Sequence, residues 1–124
     1  MGTFTRDNTE LAGAVDVDGQ QHRAEAGGMT IALERWNAGL DTAKWFADLP
    51  SGACQEPHWG YCLSGQVTMR YLDGETEVIR AGEAYYVRPG HNAHLDEDTE
   101  FVEFTAADPT PGINTVVLET SGQR

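Results

Sequence analysis

The sequence predicts an all-β domain, because glycine turns follow one another closely and the segments between them resemble short strands. The turns are expected at Asp18-Gly19, Gly27-Gly28, Ser64-Gly65, Asp73-Gly74, Ala81-Gly82 and Pro89-Gly90. Turns at this spacing, between short runs of β-branched and aromatic residues, are typical of β-sandwiches and β-barrels. The 124 residues match the size of one domain. We therefore expect a single domain over residues 1–124, with residues 1–10 and 121–124 mobile.

The first strands are expected before residue 40. Residues 14–17 and 22–26 predict an opening hairpin, with Asp18-Gly19 between its two arms. Met29–Trp36 predicts a longer strand.

One short helix is expected near residues 41–49. Asp41 can cap a helical turn, and Pro50 prevents the turn from continuing. Trp45 and Leu49 would lie at positions i and i+4 on one helix face. We expect that face to cover an open end of the sheet.

The clearest strand pattern begins at residue 58. Further strands are expected at 58–64, 67–72, 75–80, 84–88, 99–105 and 113–119. In the second of these, Val67, Met69 and Tyr71 alternate with polar residues, which predicts one buried face. Asp73-Gly74 is the strongest hairpin signal of the sequence, because a type I′ turn needs positive φ at both central positions.

The charge of the chain argues against two classes of partner. Twenty Asp and Glu residues against eight Lys and Arg give a net charge of −12. Nucleic-acid binding needs a basic face that displaces counterions, and anionic membranes recruit polybasic segments. We therefore expect no nucleic-acid partner and no membrane partner. The sequence also shows no secretory leader and no apolar run long enough to span a bilayer.

The two cysteines are expected to be free thiols. Cys54 and Cys62 are eight positions apart, which is about 26 Å along an extended strand at roughly 3.3 Å per residue. A disulfide requires Cα atoms about 4.4–6.8 Å apart. Free thiols suit a reducing compartment, so the expected location is cytoplasmic.

Two segments of the sequence resemble the conserved blocks of the cupin superfamily. They are PHWGYCLSG at residues 57–65 and AGEAYYVRPGH at residues 81–91, with the Asp73-Gly74 turn between them. The resemblance extends over about residues 50–105. It implies a double-stranded β-helix, which is a barrel of the jelly-roll type. It also implies a homodimer and, as in many cupins, one divalent metal ion inside the barrel.

The first block departs from the metal motif of that family. Aligned on Gly65, it places His58 where cupins usually carry a glutamate ligand. Cys54 stands where the second histidine is usual, and Gly52 stands where the first is usual. A thiolate and an imidazole therefore replace part of the usual ligand set.

The second block departs from the motif in a similar way. Cupins usually supply a histidine three residues after the glycine of this block, and that position is Ala93 here. His94 follows it directly, and His91 precedes it by two positions. The resemblance alone therefore assigns no metal ligand to this chain by identity.

The residues themselves still indicate a metal site. Cys54, Glu56 and His58 alternate, so that an extended segment would project them from one face. Thiolate and imidazole favour zinc or iron over magnesium or calcium. We expect His91 and His94 to approach the same barrel mouth from a loop. The predicted ligands are Cys54, His58 and His94, with His91 and Glu56 as alternates.

Each of these residues also has a structural explanation. Cys54 can be a small buried thiol, since free cysteine is among the most buried residue types. Glu56 can be a solvated loop residue, and His58 can be a neutral core histidine bonded to a tyrosine. His91 can simply cap the loop after Pro89-Gly90.

Four other residues are expected to shape a pocket, namely Gly60, Cys62, Arg70 and Arg88. Gly60 and Cys62 have the same strand parity as His58, and a glycine there would leave room for a ligand. The two arginines could bind a carboxylate through both guanidinium nitrogens. Surface ion pairs with the many acidic residues are the alternative for both.

Two functions are compatible with these observations. The first is a metal-dependent cupin that acts on a small organic molecule by dioxygenase, isomerase or lyase chemistry. The alternative is a non-catalytic cupin that binds a small ligand or partner in a sensory or regulatory role, and the sequence leaves open whether the chain is an enzyme. An acidic run over residues 96–100 follows the second block. It predicts a cationic or neutral ligand in preference to an anion.

Overall fold

The strands form two antiparallel sheets, and apolar side chains from both sheets share one core. The computed structural model describes residues 2–12 and 18–107. Within these ranges the strands are β1 (Glu10–Leu11), β2 (Gly19–Ala26), β3 (Met29–Trp36), β4 (His58–Ser64), β5 (Gln66–Tyr71), β6 (Thr76–Arg80), β7 (Ala84–Val87), β8 (His91–Leu95) and β9 (Thr99–Ala106), and the helix is α1 (Ala43–Phe46). This arrangement confirms the predicted all-β jelly-roll fold with one short helix.

The larger sheet has the strand order β1-β2-β3-β9-β4-β7, and the smaller sheet has the order β6-β5-β8. Strand β9 pairs with β3 on one side and with β4 on the other. Strands that are far apart in the sequence therefore lie side by side. Inward-facing residues of β2, β3, β9 and β4 consequently share one wall of the barrel interior.

The core lies between the two sheets and follows the alternation of the strands. In β5, Val67, Met69 and Tyr71 are buried, as the period of two predicts. The core cluster consists of Trp36, Leu40, Trp45, Phe46, Cys54, Cys62, Val67, Met69, Tyr71, Ile79, Val87, Leu95 and Phe101. It extends from the smaller sheet to the helical segment.

Most predicted strands have nearly the expected bounds. Strands β3 and β4 begin and end at the predicted residues, and β9 extends one residue beyond the expected segment 99–105. The expected segments 14–17 and 113–119 lie outside the described residues, as do residues 121–124.

The segment that carries His91 and His94 is strand β8, not a loop as predicted. Its sequence, HNAHL, contains no β-branched or aromatic residue and so gives little local strand signal. The strand forms because it pairs with β5 along its whole length, from Val67 opposite Leu95 to Tyr71 opposite His91. Long-range pairing therefore determines this element.

The helical segment is shorter than predicted, because α1 ends at Phe46 and does not reach Leu49. Asp41 Oδ1 accepts a hydrogen bond from the Ala43 backbone N–H at 3.0 Å. Trp45 and Phe46 are buried, and Leu49 packs against the core. Among the described residues, no helix has the length and apolar character to cross a membrane.

Candidate metal centre

Three buried side chains that can ligate a metal meet inside the barrel. Their potential ligand atoms, from Cys54, His58 and His91, lie within 4.8 Å of one another. Cys54 Sγ is 3.4 Å from His58 Nε2. The His58 and His91 rings meet edge to face, with their centroids 5.1 Å apart. The three side chains therefore form one compact donor cluster.

The backbone holds Cys54 and His91 directly opposite each other. The Cys54 N–H donates to the His91 carbonyl at 2.9 Å, and the His91 N–H donates back to the Cys54 carbonyl at 3.1 Å. His58 is the first residue of β4, on the inward face. The pairing of β4 and β8 with their neighbours, together with the isolated bridge at Cys54, thus fixes the positions of all three Cα atoms.

The outer nitrogen of each histidine is already engaged. His91 Nδ1 lies 2.7 Å from the Arg88 carbonyl oxygen, which can only accept, so Nδ1 carries the proton. His58 Nδ1 lies 2.7 Å from Thr105 Oγ1 and 3.8 Å from Glu103 Oε2. These contacts leave Nε2 as the free nitrogen on His91 and orient Nε2 of His58 towards Cys54. Hydrogen bonds of this kind commonly orient histidines that bind metal.

Burial sets the protonation states of the cluster. It raises the pKa of the Cys54 thiol to about 12 and lowers the pKa of His91 to about 4. It also lowers the pKa of His58. At neutral pH the two imidazoles are uncharged and the thiol is protonated. A metal ion would therefore find two ready nitrogen donors and would displace one proton from sulfur.

Two glutamates with little exposure lie beside this cluster, and neither was predicted from the sequence: Glu34 is buried, and the side chain of Glu103 is 13% exposed. Glu34 Oε1 accepts a hydrogen bond from Trp36 Nε1 at 2.8 Å. Glu103 Oε1 accepts one from the Tyr85 hydroxyl at 2.8 Å. Burial raises the pKa of Glu34 to about 8 and that of Glu103 to about 7. Strand alternation was the sequence signal that could have identified them. Glu34 is two positions from Trp36 and Glu103 is two positions from Thr105, so each shares a strand face with a buried residue.

The donor cluster and both glutamates line one cavity of about 70 Å³. Its other walls are mainly aromatic and aliphatic. The lining residues are Gln21, Glu34, Trp36, Leu40, Thr42, Trp45, Phe46, Cys54, His58, Met69, His91, Ala93, Leu95, Phe101 and Glu103. The cavity thus places polar chemistry on a largely apolar surface, as in most small-molecule sites.

The structure does not bring the preferred histidine, His94, to the cluster. His91 and His94 are three positions apart on β8, so the two side chains leave opposite faces of the strand. His94 Nε2 lies 3.2 Å from Asp96 Oδ1, and its Nδ1 lies 3.8 Å from Asp41 Oδ2. His91, which was the alternate, occupies the inner position instead.

Glu56, the other alternate, contributes no side-chain donor to this cluster of three residues. Its backbone carbonyl lies 3.9 Å from Cys54 Sγ. The alternation of Cys54, Glu56 and His58 therefore does not place all three side chains around one point. The extended strand begins only at His58, so the expected strand parity does not hold before that residue.

The expected space beside Gly60 is filled by protein. A Cβ atom at this position would meet the Tyr85 ring and would lie 2.5 Å from the Val102 carbonyl oxygen. Cys62 is fully buried in the core, with its Sγ 3.4 Å from the Ser64 carbonyl oxygen. Neither Gly60 nor Cys62 lines the cavity.

Both predicted pocket arginines lie in surface ion pairs, which was the alternative explanation. Arg70 Nη1 is 3.3 Å from Asp41 Oδ2. Arg88 Nη2 is 3.0 Å from Asp73 Oδ2, and its guanidinium stacks over the Tyr71 ring at 3.7 Å. Among the residues that the structure describes, no arginine or lysine lines the cavity.

The acidic run is also separate from the cavity. Asp96, Glu97 and Asp98 are exposed in the turn between β8 and β9, and none of them is a lining residue. Asp98 Oδ1 accepts a hydrogen bond from the Ala38 backbone N–H at 2.8 Å. Within the described part of the chain, the acidic residues that line the cavity are Glu34 and Glu103.

Comparisons with known proteins agree with this fold. The protein-family model of the cupin domain matches residues 54–103 of the sequence. An RmlC-like cupin from Shewanella frigidimarina NCIMB 400 is 13% identical, with a TM-score of 0.62 over 89% of this chain and 94% of that chain. A double-stranded β-helix protein from Klebsiella pneumoniae is 15% identical, with a TM-score of 0.59 over 86% and 90% of the two chains.

An oxalate decarboxylase variant from B. subtilis also shares the fold. It is 17% identical, with a TM-score of 0.58, and the match covers 88% of this chain but 31% of that one. No curated protein matches the sequence significantly. At these identities the solved structures establish the fold and not the chemistry. The segment that matches the cupin domain therefore contains Cys54, His58 and His91, and the fold of the solved cupin structures extends over most of this chain.

Proposed function

We propose that the protein is a cupin metalloprotein that holds one divalent ion on Cys54, His58 and His91 and acts on a small organic molecule. The observation that supports this proposal is that Nδ1 of His58 and Nδ1 of His91 each already contact a polar group. Nε2 of each ring is therefore available for a metal. The 3.4 Å between Cys54 Sγ and His58 Nε2 suits zinc, whose bonds are about 2.3 Å to sulfur and about 2.0–2.1 Å to nitrogen. One thiolate and two imidazoles favour zinc or iron.

The residues around the donors support a catalytic role. A zinc or iron ion held here would supply Lewis acidity or oxygen activation. Glu103 receives a hydrogen bond from Tyr85 and lies close to His58, and its pKa of about 7 suits proton transfer near neutral pH. The apolar lining would exclude water from the ligand. Dioxygenase, isomerase and lyase chemistries are all compatible with this arrangement.

Metal analysis tests the proposal directly. Protein purified without a histidine tag is expected to contain close to one zinc or iron ion per chain. Cys54→Ala, His58→Ala and His91→Ala are expected to lose most of it, because each removes one of three donors. His94→Ala is the matched control, since it removes a histidine from the opposite face of β8. Substoichiometric metal in the parent, or equal loss in His94→Ala, would contradict the proposal.

The alternative is a non-catalytic cupin with a sensory or regulatory role. One observation favours it: Ala93 lines the cavity at the position where cupins usually supply a histidine. Three donors remain, and Trp45 and Phe46 line the cavity. Turnover of a bound ligand by the metal-loaded protein would favour the enzyme, whereas binding without turnover would favour the sensor.

We further propose that the protein is a cytoplasmic homodimer. Cys54 and Cys62 are both free and buried, which supports a reducing compartment. Trp59, Tyr61 and Tyr86 are exposed on the outer face of β4 and β7. Within the described residues β7 is the last strand of its sheet. An exposed edge and an adjacent apolar surface are typical of an interface between copies.

A further inference from the structure

Two side chains of the cavity wall each carry a buried polar atom that has no hydrogen-bond partner among the described residues. These atoms are Gln21 Oε1 and Trp45 Nε1. Both residues line the cavity, and their exposed fractions are 4% and 6%. Buried polar atoms are almost always paired, so each of these two atoms indicates a partner that the described residues do not supply.

The two atoms need opposite kinds of partner and belong to one wall of the cavity. The amide oxygen of Gln21 can only accept a hydrogen bond, and the indole N–H of Trp45 can only donate one. Gln21 lies directly opposite Glu34 in the pairing of β2 with β3. Glu34 accepts a hydrogen bond from Trp36, and the Trp36 ring meets the Trp45 ring with the centroids 5.1 Å apart. A molecule that lies along this wall therefore needs one donor and one acceptor.

The carboxyl groups of the cavity are not free to neutralise a bound cation. Glu34 Oε1 accepts a hydrogen bond from Trp36 Nε1 at 2.8 Å. Glu103 Oε1 accepts one from the Tyr85 hydroxyl at 2.8 Å. The two carboxyl groups also share a side-chain hydrogen bond with each other. Burial raises the pKa of Glu34 to about 8, so this group is protonated and uncharged at neutral pH.

A charged group is therefore a poor partner for this wall, whichever sign it has. Among the described residues, no arginine or lysine lines the cavity to pair with an anion. Burying a charge without an opposite charge costs far more than burying an uncharged polar group that forms its hydrogen bonds. An uncharged group with both a donor and an acceptor satisfies Gln21 and Trp45 without that cost.

We propose that the cavity binds a small molecule through an uncharged carboxamide group, which donates to Gln21 Oε1 and accepts from Trp45 Nε1. A carboxamide carries its N–H donor and its carbonyl acceptor on separate atoms of one uncharged group. The proposal deepens the proposed function, because it names the ligand class of the same cavity. It rests on that function for turnover but not for binding.

Four probes of the same shape test the charge and the hydrogen bonds separately. Propanamide has both the donor and the acceptor, whereas butan-2-one lacks the donor. Propanoate is the matching anion without a donor, and propanamidinium is the matching cation without an acceptor. Each probe is titrated into the full chain, first as purified and then after dialysis against a chelator, which prevents coordination to a metal. Two-dimensional NMR follows the indole N–H signal of Trp45 during each titration.

Propanamide is expected to bind at millimolar concentrations and to shift the Trp45 indole proton downfield, because this proton gains an acceptor. The other three probes are expected to bind the chelator-treated protein at least about tenfold more weakly, because each leaves a buried group unpaired or buries a charge. Failure of propanamide to shift the signal would mean that water alone fills the cavity, and it would overturn the proposal. Equal binding of any other probe to the chelator-treated protein would also overturn it.

Variants identify the residues responsible. Gln21→Leu removes the acceptor and Trp45→Phe removes the donor, and each is expected to weaken propanamide binding about tenfold. Gln21→Leu is also expected to abolish the preference for propanamide over butan-2-one, which a purely structural role would not change. Circular dichroism confirms that each variant is folded. Unchanged affinity in both variants would contradict the proposal.

Two matched substitutions serve as controls. Gln20→Leu makes the same change at the neighbouring residue, whose side chain leaves the opposite face of β2. Trp59→Phe makes the same change at a tryptophan that is 47% exposed. Both controls are expected to bind propanamide as the parent does. A tenfold loss in either control would show that the effect does not come from the cavity wall.

Metal content measured on the same samples separates this inference from the proposed metal centre. Gln21 and Trp45 are not among the three donors, so propanamide is expected to bind with and without metal. Binding to a parent protein that contains no metal as purified would support this inference and contradict the metal centre. Stoichiometric metal without propanamide binding would do the reverse.

Discussion

At the scale of the residue, Gly60 shows how one missing side chain shapes the site. Because Gly60 has no side chain, the Tyr85 ring can lie directly against β4. In this position the Tyr85 hydroxyl donates a hydrogen bond to Glu103. Gly60→Ala is expected to destabilise the fold by about 1–3 kcal/mol, because the new Cβ would overlap the Tyr85 ring and the Val102 carbonyl. Chemical denaturation measures this change in the free energy of unfolding.

A second background tests the cause of that destabilisation. Tyr85→Ala removes the ring, so adding Gly60→Ala to it is expected to cost less than in the parent protein. An equal cost in both backgrounds would show that Tyr85 is not responsible. The carbonyl of Val102 remains in both proteins, so the difference isolates the ring.

The sequence identified part of this site because part of its geometry is local. Cys54 and His58 were predicted as ligands, and the structure brings them within 3.4 Å. The choice between His91 and His94 was different, since it depended on the faces of a strand that had not been predicted. A shift of one residue in strand register reverses every side chain. Local sequence could not supply that register.

Glu34 and Glu103 illustrate a second limit. Each lies at an inward position of a strand that is otherwise well predicted, but an acidic residue is normally assigned to the solvent face. Their burial is supported by Trp36 and Tyr85, which donate hydrogen bonds to them. Trp36 is only two positions from Glu34 on β3, but Tyr85 on β7 reaches Glu103 on β9 only when β9, β4 and β7 are placed side by side.

At the scale of the element, the pairing of β3 with β9 buries two carboxyl groups whose pKa values are raised by that burial. Glu34 and Glu103 hold protons up to about pH 8 and about pH 7, whereas a glutamate in the unfolded chain releases its proton near pH 4.3, roughly. Between these values the folded state binds more protons than the unfolded state. The free energy of unfolding therefore falls as the pH rises through this window.

The neighbouring histidines determine where this effect is clearest. Burial lowers the pKa of His58 and His91, so below about pH 6.5 they make stability rise with pH. The two contributions oppose each other there. Above about pH 6.5 the unfolded histidines are also neutral, and only the acids contribute.

Metal-free protein is therefore expected to lose stability between about pH 6.5 and pH 8, on the order of 1–3 kcal/mol. Urea denaturation at a series of pH values measures the loss. Glu34→Gln is expected to reduce the change of stability with pH, because Glu34 has the higher pKa of the two carboxyl groups. Glu25→Gln, at an exposed position of β2, is the control. Its free energy of unfolding is expected to change with pH as in the parent protein. Stability that rises across this window would contradict the burial of ionisable acids.

The helical segment and β8 show why some elements are harder to predict than others. Segment 41–49 was recognisable because Asp41 and Pro50 are local signals, although α1 itself is only Ala43–Phe46. Strand β8 has no such signal and exists through its partner β5. Elements that depend on tertiary pairing are those that local propensity misses.

At the scale of the whole molecule, the fold was predictable because the glycine turns and the cupin-like blocks agreed. Both indicated the same order of short strands, and the match over residues 54–103 lies within the predicted range. The position of the acidity was not predictable in the same way. The run of exposed acidic residues at 96–98 is the most noticeable acidic feature of the sequence. Among the described residues, however, Glu34 and Glu103 are the acidic residues that line the cavity.

The outer surface of the larger sheet makes a prediction about assembly. Trp59 lies opposite Tyr86 on β7 and opposite Phe104 on β9, and all three are at least one third exposed. The Trp59 and Tyr86 rings are 5.2 Å apart. A second copy of the chain is the proposed occupant, because the same apolar surface on each copy is self-complementary about a twofold axis.

Sedimentation equilibrium is therefore expected to give twice the monomer mass of 13.5 kDa. Trp59→Glu is expected to shift the protein towards monomer, whereas Leu72→Glu, an equally drastic change at an exposed leucine outside this surface, is not. Each copy carries a charge of −12, so the copies repel at long range and added salt should strengthen the dimer by screening. A monomeric parent, or a dimer that salt weakens, would contradict an apolar interface, because only a contact built on opposite charges loses affinity as ionic strength rises.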